Sequence, residues 1–96
     1  MLKSVQFFRN ITLKLGEESV VISLPEFCKD EGFLAMDRDG KIHAYDITPF
    51  LHDPRYWHTL GDSECVAEYQ GDDIEEIWEN SMVEFREYDT EVVIPK

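Results

Sequence analysis

The chain is short of bases. Nine lysines and arginines stand against 21 aspartates and glutamates in 96 residues, a net charge of −12. Such an imbalance repels nucleic acid and anionic lipid and attracts basic surfaces over a Debye length of ~8–10 Å. Direct binding to nucleic acid or to a membrane surface is therefore not expected. Cysteine is scarce as well: Cys28 and Cys65 are the only two, with no Cys-x-x-Cys pair. That excludes the dense disulfide framework of small secreted domains and points to reduced thiols. No stretch approaches the ~18 continuous apolar residues of a membrane span, and the segment from Met1 to Arg9 lacks the pattern of a cleaved signal. A cytoplasmic protein, bacterial or in a host cell, is the resulting expectation.

Catalytic signatures are missing too. There is no Gly-x-Ser-x-Gly, no phosphate-cradling glycine loop and no His-Glu-x-x-His. Asp37, Asp39, Gly40, Ile42 and Asp46 match the middle of a calcium loop, but its first ligand position falls on Ala35 and its last lacks the long glutamate. His43, His52 and His58, with the two cysteines, include no pair at the i, i+3 or i, i+4 spacing of a structural zinc site. Neither a metal nor a cofactor is expected, and the protein is read as a binder rather than an enzyme.

What is present is enough for one folded body. Hydrophobic residues make up 43% of the chain and aromatics 12%, above the level of disordered sequences. A single acidic domain over 1–96 is expected, burying about 60–70% of the surface of its unfolded chain. Val5, Phe7, Ile11, Leu13 and Leu15, then Val20, Ile22 and Leu24, alternate about the Gly16-Glu17-Glu18 turn and predict two antiparallel strands. Phe33–Met36 and Ile42–Ile47 flank Asp39-Gly40, whose positive backbone dihedrals would suit a tight hairpin. Asp53-Pro54 looks like a helix N-cap followed by proline at the first helical position, opening a short turn through Arg55, Tyr56, Trp57 and His58.

A strand is expected over Cys65–Tyr69 and another at Val92–Ile94. Between them Ile74, Ile77, Trp78, Met82 and Phe85 recur at helical spacing and predict a helix from about Asp73 to Phe85. The fold class is thus α+β: a small antiparallel sheet of four to six strands packed against one main helix near the C-terminus.

The charge is concentrated. Residues 62–91 hold twelve acids against one base, Arg86, for a net −11, while residues 1–61 carry only −2. On the predicted helix Asp72, Glu75, Glu76 and Glu79 project opposite the apolar stripe, and Glu84 and Glu87 continue the series. Acids in a first helical turn are stabilised by the helix dipole and need no function. The like-charged pairs Asp72/Glu76 and Glu75/Glu79, however, cost a few tenths of a kcal/mol each with no lysine to offset them. Six acids from Asp72 to Glu84 over ~18 Å of helix would place one charge per ~3 Å, close to the ~3.4 Å spacing of phosphates along one DNA strand. Two readings of this face stand side by side, a solvated surface and a binding surface for a basic partner. Tyr56 and Trp57 admit a similar pair: interface anchors, or a lid over a small core.

The stretch from Phe33 to Leu51 resembles a family of small bacterial proteins of unknown function, in which a strand, an Asn/Asp-Gly turn and a second strand run into an Asp-x-x-Pro-x-Leu ending. Asp39-Gly40, Asp46, Pro49 and Leu51 fall on that pattern. The resemblance covers about a fifth of the chain and implies a small sheet with a packed helix and a bacterial or phage origin, without any activity. Three functional readings follow from the sequence. The first is an acidic inhibitor or adaptor that occludes a basic, nucleic-acid-binding surface of a partner protein, like a DNA mimic. The second is an immunity protein or antitoxin that neutralises a toxin. The third is a small metal-dependent enzyme using His52, His58 and Cys65.

Overall fold

A computed structural model of the chain describes Leu2 and residues 9–96. The predicted contribution of Val5 and Phe7 to the first strand lies outside the described residues. From Asn10 on, alternation works as expected: β1 (Asn10–Leu15) buries Ile11, Leu13 and Leu15 and turns at Gly16, φ +62°, into β2 (Glu18–Ser23). The two pair antiparallel, from Leu15 opposite Glu18 to Asn10 opposite Ser23. The second hairpin joins β3 (Gly32–Met36) to β4 (Lys41–Tyr45). Its turn is tighter in chemistry than in count: Gly40 alone takes positive φ, +90°, while Asp39 accepts the Lys41 N–H on its Oδ1 at 2.9 Å. Only the glycine uses the left-handed region, where a side chain would strain.

The chain continues through β5 (Phe50–Leu51), β6 (Trp57–His58), β7 (Ser63–Glu68), α1 (Ile74–Ile77), β8 (Val83–Phe85) and β9 (Glu91–Ile94). These form a three-stranded sheet ordered β2-β1-β9, a four-stranded sheet ordered β7-β4-β3-β8, and the small β5-β6 hairpin. The two larger sheets share one core, Ile11, Leu13, Val92 and Ile94 from the first meeting Leu34, Met36, Ile42 and Phe85 from the second. The fold is α+β. Among the described residues no helix is long and apolar enough to cross a membrane.

Three expectations are corrected. The terminal strand exists, but β9 runs parallel to β1, Leu13 opposite Val92 and Leu15 opposite Ile94, so its sheet is mixed rather than antiparallel. The predicted helix over 73–85 is a single α turn, Ile74–Ile77, followed by a 3-10 turn, Trp78–Asn80. It stops at Ser81, whose buried Oγ accepts the Met36 N–H at 2.8 Å and donates to the Trp78 carbonyl at 2.6 Å. Val83–Phe85 then completes the sheet against Gly32–Leu34, and the fully buried Phe85 gains more there than a helix of uncompensated acids supplies. Asp53-Pro54, finally, opens no helix. The Asp53 Oδ1 accepts the Arg55 N–H at 2.9 Å, an Asx-type turn that closes the β5-β6 hairpin.

The chain is cross-tied at Arg9. Its guanidinium donates to the carbonyls of Lys29 (3.3 Å), Asp30 (2.9 Å), Arg86 (2.6 Å) and Asp89, joining the entry to β1 with two distant loops.

Candidate partner-binding surface

The β5-β6 hairpin sorts its side chains by the period of two. Phe50 pairs with His58 and Leu51 with Trp57, so Phe50 and His58 share one face and Trp57 points to the other. On that inner side Trp57 is held three times. Its backbone N–H donates to Asp37 Oδ1 at 2.8 Å, and its indole Nε1 donates to the carbonyls of Met36 (3.0 Å) and Trp78 (3.3 Å). Trp57 packs against the core and is the lid, not an exposed anchor.

The opposite face is aromatic. The His58 ring stacks with Tyr56 at 4.7 Å and with Phe50 at 6.0 Å, and His52 meets it edge-on at 5.4 Å. Phe50 and Tyr56 remain about two-fifths exposed, at 42% and 39%, which leaves rings available for contact. The Arg55 guanidinium lies over the Tyr56 ring at 5.9 Å. It also holds the Asp53 carboxyl below its ordinary range, chiefly through the hydrogen bond between their side chains. The sequence placed Tyr56 and His58 in one aromatic turn with His52 beside it but missed Phe50, whose signal was the alternation on either side of Asp53-Pro54, obscured by the N-cap reading.

The six predicted acids do not form one ruler. Asp72 precedes α1, Glu75 and Glu76 lie on it, and Glu79 is on the 3-10 turn, whereas Glu84 belongs to β8 and Glu87 to the turn beyond. The even spacing of charge along a single helix, and with it the close geometric likeness to a DNA strand, is therefore lost at Asn80. Two of the six are paired: Glu75 with Arg38 at 2.6 Å and Glu84 with Arg86 at 3.5 Å. Among the described residues Asp72, Glu76, Glu79 and Glu87 have no cation within 4 Å and are all exposed. Asp73 is different: the Tyr69 hydroxyl, 2.8 Å away, and Lys96 hold its carboxyl below the ordinary range.

The two features meet. A shallow depression is lined by Leu51, His52, Asp53 and Pro54 of the hairpin together with Trp78 and Glu79, so Glu79 meets the ring face at His52. A second depression, lined by Asp37, Arg38, Asp39, Arg55 and Tyr56, brings the Arg38–Glu75 pair to its other side. Glu79 of the 3-10 turn and, through Arg38, Glu75 of α1 thus flank the hairpin, while Glu84 and Glu87 lie on and beyond β8.

Beneath the hairpin, His43 Nδ1 lies 3.3 Å from Asp37 Oδ2 without hydrogen-bond alignment. Burial, with the Asp37 carboxylate as a smaller cause, pushes the Tyr45 phenol up. Among the described residues no three histidine, cysteine or acidic side chains converge to hold a metal ion, so His52, His58 and Cys65 are not gathered as ligands. Comparison of the chain with protein-family models, with curated proteins and with solved structures finds no match.

Proposed function

We propose that the protein is an acidic adaptor or inhibitor, bacterial or phage, that docks the α1–hairpin surface on the basic, nucleic-acid-binding face of a partner protein and occludes it. The observation that carries this reading is the depression that Glu79 shares with His52 of the β5-β6 hairpin, whose ring meets His58 edge-on. Uncompensated Asp72, Glu76 and Glu79 steer a basic partner, and Phe50 and Tyr56 supply the apolar contact that charge alone lacks. A reducing cytoplasm suits the two free cysteines.

The immunity or antitoxin reading uses the same surface with the weights exchanged. It is favoured by the four-ring face, which offers shape rather than charge. Its diagnostic residue is Tyr56 and not Trp57, because loss of Trp57 would damage the fold.

The test is affinity for a partner cross-linked in the native host, measured against salt. Replacing both Glu76 and Glu79 with lysine should weaken binding about tenfold or more and flatten the salt dependence. The same charge change at Glu17 and Glu31, away from this surface, should leave affinity within about twofold. Binding indifferent to salt and to Glu76 and Glu79 discards the occlusion reading; if Tyr56→Ala then abolishes it, the toxin-neutralising reading takes its place.

A further inference from the structure

The two larger sheets meet along a seam that no ladder closes. β7 lies alongside β2 with Cα atoms within 8 Å, yet among the described residues no backbone hydrogen bond passes between the two strands. With β8 beside β9 at the other seam, the sheets enclose the core almost as a barrel does. The mouths of barrels are common ligand sites. The β1–β2 register shows how the β2–β7 seam opens. On the core-facing side of β2, Ile22 is buried opposite Ile11, Val20 is 51% exposed opposite Leu13, and Glu18 is exposed opposite Leu15. β1 thus stays apolar to its end while β2 turns from apolar to acidic, and the core widens towards Glu18 without being filled.

The space left there is a groove of ≈ 230 Å³. Leu13, Leu15 and Ile42 form its floor, with Val20 on one wall and Ala67 on the other. Val66 is the extra residue where the β4–β7 register shifts, a bulge of the kind that bends a strand. Ala67, opposite Ile42, is too short to fill the gap beside it. An apolar cavity of ~150 Å³ already holds benzene, so this groove has room for one ring and a short arm.

Charge at the mouth selects the ligand. Glu18 shares the core-facing side of β2 with Val20, so its carboxylate stands over the same groove. No described cation lies within 4 Å of it. Lys96, whose side chain lies along Gly16 at the adjoining turn, is engaged by Asp73 at 3.2 Å and by the Tyr69 hydroxyl. Main-chain acceptors add to the carboxylate. Tyr69 donates its N–H to the Gly40 carbonyl and Leu24 donates to Arg9, so by alternation Glu68 of β7 and Ser19 of β2 direct their N–H and C=O groups into the seam. An anion would be repelled by Glu18, whereas a small cation is concentrated by a chain of net charge −12. We infer that the groove binds a free, small organic amine in its ammonium form, with an apolar ring or branched chain of about six to eight carbons. The apolar body lies on Leu13, Leu15 and Ile42 beside Val20, and the ammonium donates to the Glu18 carboxylate. One short molecule meets both from the same side. This site is separate from the α1–hairpin face.

The experiment titrates the full chain with benzylamine at neutral pH, following backbone amide and methyl shifts by NMR, with benzoate and methylamine as controls. Saturable shifts are expected with benzylamine alone, centred on Leu13, Leu15, Val20, Ile42 and Ala67. Benzoate tests the charge, and methylamine tests the ring. Val20→Phe fills the groove with a side chain that suits a half-exposed strand position, and should lower affinity about tenfold. Glu18→Gln keeps the shape, removes the charge and should lower affinity several-fold. The inference is overturned if benzylamine gives no saturable shifts below about 10 mM, if benzoate binds equally well, or if Glu18→Gln binds as the unchanged protein does. It is overturned too if the shifts centre on Asp72–Glu79 and the hairpin, or if the groove resonances move with protein concentration alone, which would make the groove a contact between copies. Glu76→Lys with Glu79→Lys should leave benzylamine binding unchanged, so this inference and the occlusion reading fail separately.

Discussion

The carboxylate of Asp37 accepts the backbone N–H of Trp57 at 2.8 Å, so a residue at the end of β3 fixes the hairpin that carries the exposed rings. Asp37 is 8% exposed, and its charge has little access to water. Asp37→Ala leaves the Trp57 N–H without an acceptor in a half-buried site and should cost about 1–3 kcal/mol. Asp37→Asn keeps an acceptor oxygen and should cost less. Urea unfolding measures both, and amide exchange at Trp57 should quicken in the alanine variant; an unchanged midpoint with unchanged exchange would refute the role.

Ser81 is the second pin. Its hydroxyl is fully buried and joins the end of the 3-10 turn to β3 by accepting from Met36 and donating to Trp78. Ser81→Ala strands the Met36 N–H and should destabilise the fold by about 1–3 kcal/mol in the same assay. Because the α1 acids hang from this junction, the variant should also broaden the amide resonances of Glu76 and Glu79. Sharp, unshifted resonances with native stability would count against it.

The two thiols should behave oppositely. Burial, with Asp46 and Glu64 adding to it, pushes the Cys28 thiol up to about 12, whereas Cys65 is exposed. Iodoacetamide at neutral pH should label the native protein once, at Cys65, and the unfolded protein twice. The sign of the linked stability follows: a group whose pKa is raised on folding stabilises fully below its unfolded value and loses that contribution as pH rises toward the folded one. Tyr45, also raised by burial, acts in the same direction. Stability should fall as pH climbs from about 9, the ordinary thiol value, toward 12, and Cys28→Ala should lessen the fall. Rapid native labelling at Cys28, or an alkaline fall that Cys28→Ala does not lessen, would contradict this account.

The parts of the fold that could be read from sequence are those decided locally. The β3–β4 hairpin follows from Asp39-Gly40 and its flanking alternation, and β1–β2 from Gly16. What could not be read was decided at a distance. Ile74, Ile77 and Trp78 satisfy a helical period, but so does one turn followed by a strand, and only the vacancy beside Gly32–Leu34 selects the latter for Val83–Phe85. Asp53-Pro54 suits an N-cap and an Asx turn equally; pairing of Phe50 with His58 chooses the turn. The concentration of acids was legible as a count. Its division between the α1 and 3-10 turns, where Glu79 shares a depression with His52, and β8 required the tertiary structure.

The parallel ladder between β1 and β9 joins residues some eighty positions apart in the chain. During synthesis β1 and β2 emerge early, yet their sheet lacks its third strand until Glu91–Ile94 have been made and released. In that interval the β1 edge facing β9 is bare, with Thr12 deprived of the Thr90 carbonyl it binds at 3.0 Å. The β1–β2 hairpin is thus open to strand-pairing partners while the roughly eighty residues that separate it from β9 are made, and a chaperone or the cognate partner itself has that window in which to act.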